Sequence, residues 1–308
     1  MVQHIDEHDV SPSWTSFLET NVLRACVLEA AARKPGNVHP SASFPDTTYA
    51  DFVRSAVIVA PLLARTHTRG IGETIFNAVR ETRQTLGSNT NLGIVLLLAP
   101  LCAVPAPQSL AEGIHSILRG LTRDDAVWVY RAIRLAQPGG LGEASTGDVH
   151  NEPPGTLFEM MQLAASRDSI AREYAEGYPL ILEVTRTHWR ESAPFTEHWE
   201  ASIIELQLKI MAAHPDSLIG RKCGQETAEL ASTKARQVLQ AGGSRTDEGR
   251  TLLTEFDRWL REDGNRRNPG TTADLIAGAL FAAARERVLE LPDLVTIERD
   301  IQRRSSHA

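Results

Sequence analysis

Cysteine is scarce in this 308-residue chain: Cys26, Cys102 and Cys223 are the only three, widely separated and odd in number. Without a C-x-x-C pair, neither a zinc knuckle nor a disulfide framework is supported, and a reducing, cytoplasmic setting is the expectation. Positive charge is also in deficit, with 32 Lys and Arg against 39 Asp and Glu and a formal net charge of −7. That argues against a nucleic-acid partner, since phosphate-backbone binders carry a basic excess, but it leaves room for a nucleotide in a local basic pocket. Long apolar runs are missing. The longest, residues 92–104, is too short to span a bilayer and contains Pro100. The opening MVQHIDEHDVSPSW lacks the basic and apolar regions of a signal peptide. No membrane partner is expected. G-x-G-x-x-G and G-x-x-x-x-G-K-[ST] are both absent, which removes the sequence support for Rossmann and P-loop folds. G-x-S-x-G is absent too, and with it the sign of a serine hydrolase. His39, His67, His115, His150 and His214 are scattered without metal-ligand spacing, so no zinc site is expected. Period-two alternation is rare, and no solenoid-type repeat occurs.

What the chain has in quantity is helical spacing. Trp14, Leu18, Val22, Ala25 and Glu29 recur at intervals of three and four, which predicts a helix over 12–32 started by Pro12. A second helix is predicted over 48–67, with a kink at Pro61. Others follow at 71–86, 92–103, 109–118, 122–136, 156–175, 178–190, 196–213, 224–240, 247–262, 272–289 and 293–301. Thr156 precedes Glu159, and Thr271 precedes Asp274, by the three residues of a capping pattern. Gly- and Pro-rich loops fall at 34–47, 138–155, 214–222, 241–246 and 263–270. The loop at 138–155 also reads as a linker. The helical pattern is the same on both sides of it, so the expectation is a single all-α domain over 1–308, a bundle of roughly a dozen helices. Flexible tails are expected at 1–11 and 303–308.

Five polar stretches interrupt this pattern. Glu29 closes the first helix on its apolar face, where a carboxylate is costly unless paired or metal-bound. Lys34-Pro35-Gly36-Asn37 follows as a turn in which Gly36 lets a ligand approach the main chain, although an ordinary charged turn reads the same way. Asn89, Thr90 and Asn91 stand directly before the apolar run Leu92–Leu98. They serve either as a plain cap or as one wall of a phosphate site at a helix N-terminus. Asp168, Arg172 and Glu176 share a helix face, as a solvated ladder or as a functional row. Asp216 precedes Arg221-Lys222 in a Gly-flanked stretch able to grip phosphate, or simply one of mixed charge. Asn268-Pro269-Gly270 leads into Asp274, a first-turn acid or a metal ligand.

Taken in order, these stretches resemble the triphosphoribosyl-dephospho-CoA synthase family. The resemblance is carried by Lys34-Pro35-Gly36-x-Val38, Asp46 and Phe52, then by Asn89-Thr90 and Gly93. It continues with Ala171-Arg172-Glu173 before Gly177-Tyr178-Pro179, Asp216-Ser217 with Arg221, and Asn268-Pro269-Gly270 with Ala273-Asp274-Leu275. It runs from about residue 17 to about 285. It implies an all-helical transferase that takes ATP as substrate, releases adenine and moves a triphosphoribosyl group to dephospho-CoA. The expected partner is thus a small nucleotide substrate; a homodimer is left open. Such chemistry asks for Mg²⁺ held by acids, cations or helix N-termini on the phosphates, and a carboxylate near an oxocarbenium-like C1′.

On that resemblance Glu29, Asp46 and Glu173 are the expected catalytic acids, and Asp46, Asp168, Asp216 and Asp274 the expected metal ligands. Lys34, Gly36, Asn37, Asn89, Thr90, Asn91, Gly93, Arg172, Arg221 and Asn268 are the expected nucleotide and phosphate contacts. The chain departs from the family where the family reads Asn-Thr-His-Lys-Gly: here Asn91 and Leu92 replace the His-Lys pair. Of the family's Gly-Ala-His-x-Asp it keeps only Asp46. A branch with this Asn-Leu-Gly form is associated with methanopterin-linked one-carbon metabolism, which implies another nucleotide, phosphosugar or pterin precursor as an alternative substrate. A non-catalytic helical binding protein is the third reading.

Overall fold

A computed structural model describes residues 12–140, 147–191 and 195–305. Among these residues there are seventeen α-helices, a short 3-10 turn and no sheet; the only bridges are the isolated pairs His39–Ala42 and Phe44–Thr47. In chain order the helices are α1 (Pro12–Ala31), α2 (Tyr49–Leu63), α3 (Thr66–Arg69), α4 (Ile71–Leu86), α5 (Leu92–Ala103), α6 (Leu110–Arg119), α7 (Arg123–Ala136), α8 (Leu157–Ala164), α9 (Ser169–Glu176), α10 (Pro179–Arg186) and α11 (His188–Glu191). The last six are α12 (Phe195–Ala213), α13 (Ser217–Cys223), α14 (Gln225–Gln240), α15 (Asp247–Arg261), α16 (Gly270–Arg285) and α17 (Leu294–Ser305). None of them is long and apolar enough to cross a membrane. The tails expected at 1–11 and 306–308 lie outside the described residues; 303–305 close α17.

Helix α5 is apolar on every face because it is buried on every face: from Ile94 to Cys102 each residue is inside. A helix hydrophobic all round belongs in a core. It packs on α16, itself buried from Leu275 to Arg285, and α1 lies against α16 and α2. These helices centre the main hydrophobic cluster. A smaller cluster joins the second half of α12 to α13, α14 and α15.

The helix count exceeds the expected dozen for local reasons. The segment 156–175, expected as one helix, divides: α8 ends at Ala164, and Asp168 starts α9 as its cap, its Oδ1 accepting the amides of Ile170 and Ala171 at 2.9 and 3.0 Å. An Asp N-cap is a strong start signal. Asp216 acts likewise inside 214–222, which was expected to be loop and instead carries α13. The segment 178–190 also divides, into α10 and α11. Pro61 sits in the last turn of α2, which ends two residues later rather than running on to 67.

The C-terminal end of α1 and the N-terminal ends of α5 and α16 meet at one end of this core. The candidate site lies there.

Candidate functional site

A cavity of about 780 Å³ opens where these helix ends converge. Five helix starts contribute to its wall: Leu92 and Gly93 of α5, Leu157 of α8, Asp168 and Ile170 at α9, Leu218 of α13, and Gly270 and Thr271 of α16. Helix N-termini present unpaired amides and a positive dipole end.

Two carboxylates form the deep acidic part. Glu29 projects from the last turn of α1 and is ion-paired with Lys34, Nζ to Oε1 2.9 Å. Lys34 is fully buried and also donates to the carbonyls of Glu29 and Ala32, so it closes the C-terminal end of α1. Asp274, on the second turn of α16, lines the same cavity and makes no hydrogen bond or ion pair with the described residues. Burial pushes its carboxyl well above the usual range, with Glu29, Asp216 and Asp168 adding like-charge repulsion. Gly93 is what allows this placement. A Cβ there would lie 2.0 Å from Asp274 Oδ2, so the carboxylate rests on the bare backbone at the start of α5. Asp46 is exposed at the rim and accepts the Thr47 hydroxyl at 3.2 Å.

Three other acids predicted for the site have structural duties. Asp168 touches the cavity, but Oδ1 caps α9 and Oδ2 pairs with Arg221 Nη1 at 2.5 Å. Asp216 is buried away from the cavity wall. Its Oδ1 caps α13 through the amides of Leu218 and Ile219, and its Oδ2 takes the Thr272 amide and hydroxyl at the start of α16. With four donors already on it, Asp216 has little capacity left for a metal. Glu173 is also off the cavity and accepts the amides of Leu180 and Ile181, which begin α10, at 3.2 and 3.1 Å.

Burial lifts the Glu173 carboxyl to about 7, even though those two amides favour its ionised form. The unfolded chain releases this proton near the ordinary value of about 4.3. Between that value and about 7 the folded state holds the extra proton, so this residue's contribution to stability falls as pH rises. Glu173→Gln, which cannot titrate, should gain several degrees of Tm relative to the unchanged protein between about pH 4.5 and about pH 8. A difference in melting temperature that is flat across that range would exclude the assignment.

The stretch before α5 divides its work. Asn89 Oδ1 accepts the Leu92 amide, the first of α5, at 3.2 Å, while the N-cap residue Asn91 leaves the next amides without a side-chain cap. Asn91 lines the cavity, while its side-chain amide donates inward to Ser55 Oγ at 2.6 Å and Thr82 Oγ1 at 2.9 Å. Thr90, also on the wall, keeps a buried hydroxyl with no partner among the described residues. In the earlier turn, Asn37 lines the cavity and its Oδ1 accepts from Gln207 Nε2 at 2.9 Å. Gly36 does not reach the cavity. Its φ is +77°, its amide donates to Asp257, and a Cβ would strike Leu260 at 2.8 Å and Pro269 at 2.9 Å. Packing against α15 and the start of α16, rather than ligand approach, requires this glycine.

Cations come from α13 and from the turn between α8 and α9. Arg221 lines the cavity, aimed by Asp168. Lys222 lines it too; its Nζ is 3.4 Å from Asn268 Oδ1, and burial lowers its pKa. Arg167 is exposed at the wall and makes no ion pair among the described residues. Arg172 lies off the wall and donates to the Ala165 carbonyl at 3.4 Å. Arg167 was passed over as a site residue, and Lys222 was read only beside Arg221, as part of a stretch able to grip phosphate. Each adjoins a recognised motif residue, but a helix places neighbours about 100° apart, and the sequence alone does not show which one faces inward. Also unforeseen is an apolar wall on α7 and α8, formed by Val129, Tyr130, Ile133, Leu157, Met160 and Met161.

Among the described residues no group of three or more His, Cys, Asp or Glu side chains is placed to hold a metal by itself. The sequence model of a family described as ATP:dephospho-CoA triphosphoribosyl transferase matches residues 15–292. A probable 2-(5''-triphosphoribosyl)-3'-dephosphocoenzyme-A synthase of Lactiplantibacillus plantarum is 24% identical over 302 residues, which cover 89% of this chain and 99% of the relative. A solved structure from Archaeoglobus fulgidus, provisionally named triphosphoribosyl-dephospho-CoA synthase, is similar at a TM-score of 0.59 and 26% identity. The match covers 76% of this chain and 98% of that one.

Proposed function

The chain belongs to the ATP:dephospho-CoA triphosphoribosyl transferase family, and from that premise we propose that its cavity binds ATP and passes the triphosphoribosyl group to a hydroxyl of dephospho-CoA. In this reaction the bond from ribose C1′ to adenine breaks and a bond from C1′ to the acceptor oxygen forms. The hydroxyl proton leaves with adenine. The observation that carries the reading is the pairing of Glu29 with an unpartnered Asp274 at the start of α5, with Lys222 and Arg221 in the same cavity.

Positive charge that develops at C1′ is stabilised by carboxylates held close to it, as in glycoside hydrolysis. Glu29 is assigned that place. Asp46, exposed at the rim, is the remaining acid able to take the hydroxyl proton. Lys222, Arg221 and the uncapped amides of α5 face the triphosphate. Mg²⁺ commonly takes only one or two carboxylates and completes its shell with phosphates and water, so Asp274, which has no partner among the described residues, would hold it. When bound, the ion neutralises charge on the triphosphate. Phe44 and Phe52 supply ring faces on the α2 side for the purine.

Incubation with ATP, Mg²⁺ and dephospho-CoA should release free adenine in step with acceptor consumption. Well-folded protein that yields no adenine would defeat this substrate pair. A second reading draws on Asn91, whose side-chain amide is committed to Ser55 and Thr82, and on Leu92, an apolar wall residue: another nucleotide, phosphosugar or pterin precursor occupies the same cavity. Stabilisation by such a compound, together with none by ATP, would favour it.

A further inference from the structure

The cavity has two chemically different sides, and one of them has no duty in the donor chemistry. The α7–α8 side presents Val129, Ile133, Leu157, Met160 and Leu163. Tyr130, its aromatic ring, has its hydroxyl committed to the Gly147 carbonyl at 2.7 Å. Asp148, nearby, accepts the His150 amide at 2.8 Å. Leu163 is 46% exposed, and of the strongly exposed large apolar side chains described it is the one that lines the cavity. A single exposed leucine is ordinary on a protein surface, but this one lies on the cavity wall, where a bound ligand would cover it. Arg167 stands four residues further along the chain and makes no ion pair among the described residues.

A triphosphate laid against this wall would lose water without gaining enough partners. A purine finds aromatic partners in Phe44 and Phe52, which line the cavity from the loop before α2 and from α2. A long, neutral, flexible chain suits the α7–α8 wall, since methionine side chains adapt to irregular apolar shapes. Dephospho-CoA carries such a chain, a pantetheine arm joined to its nucleotide through a diphosphate. We propose that the α7–α8 pouch is the acceptor's arm subsite, with Leu163 packed on the pantetheine and Arg167 on the diphosphate. The inference rests on dephospho-CoA as acceptor and assigns the two substrates to different walls of one cavity.

The test uses 4′-phosphopantetheine as probe, titrated calorimetrically into the full chain with and without saturating ATP. The probe should bind with ATP present. Leu163→Ala should weaken it about tenfold, the loss expected when part of a leucine's contact is removed. Arg167→Ala should weaken it by at least as much, and neither change should alter ATP affinity. Both residues are exposed, so the variants should keep the unmodified melting temperature. Displacement of the probe by ATP, a loss of ATP affinity in Leu163→Ala, unchanged probe binding in both variants, or no binding to the unmodified protein would each overturn the assignment. Failure of the transfer reaction itself is read separately, from adenine release.

Discussion

Asp274→Asn should cut adenine release by about 10²- to 10³-fold, the loss usual when one preorganised charge is removed from a transition state. The same change should make the ligand-free protein more stable. Asp274 is half-buried on the cavity wall, has no hydrogen-bonding or ionic partner among the described residues, and ionises only at a cost set by desolvation and by like-charge repulsion from Glu29, Asp216 and Asp168. A neutral side chain of the same size removes that repulsion, and a gain of about 1 kcal/mol raises Tm by about 2–4 °C in a chain of this order of size. The two effects run in opposite directions, which is the pattern of a group kept for function at a cost in stability. A purely structural Asp274 would show the reverse: a lower Tm and activity that falls only with the folded fraction. ATP with Mg²⁺ should raise the melting temperature of the unmodified protein more than that of Asp274→Asn, because the ligand's gain depends on the carboxylate.

Asp274 was readable as a candidate from the sequence because an acid just inside a helix, after Asn-Pro-Gly, has few roles. Asp168 and Asp216 looked the same in the sequence and proved to be caps. The difference lies in where the oxygens point. At Asp168 and Asp216 the side chain turns back on the two amides that follow it. Asp274 lies beyond the first turn of α16, where no free amide remains for it. A single sequence carries residue types and spacing, not that orientation. The all-helical class was readable because apolar spacing is a local property. The breaks inside 156–175 and 178–190 were harder, since the apolar rhythm continues across them while one cap or one unfavourable backbone angle interrupts the chain. Asp168 supplies the cap at the first break, and Thr187, at φ −110°, ends α10 at the second. The pouch on α7 and α8 was invisible for another reason: Val129, Ile133 and Met160 have the spacing of ordinary core residues. Only tertiary structure leaves them facing a cavity.

Lys34→Met should be the most destabilising single change at the site, by about 3–5 kcal/mol, the range for breaking a buried ion pair by removal of one partner. Lys34 and Glu29 are 0% and 4% exposed in their side chains. The ammonium group serves one carboxylate oxygen and two carbonyls at the end of α1. Removing it leaves those carbonyls unpaired and leaves Glu29 charged beside Asp274. Changing Glu29→Gln in the same chain removes the stranded charge and should restore a large part of the lost stability, but not activity, since Glu29 is assigned to the reacting ribose. This separates two roles for the lysine. As a phosphate contact, Lys34 would raise the KM for ATP when replaced and leave Tm nearly unchanged. As the closure of α1, it lowers Tm steeply, and any surviving folded protein keeps its KM for ATP. A melting temperature within about 2 °C of the unmodified protein, a shift worth about 0.5–1 kcal/mol, would rule out the second role. It would return Lys34 to the phosphate end of the cavity, where the resemblance first placed it.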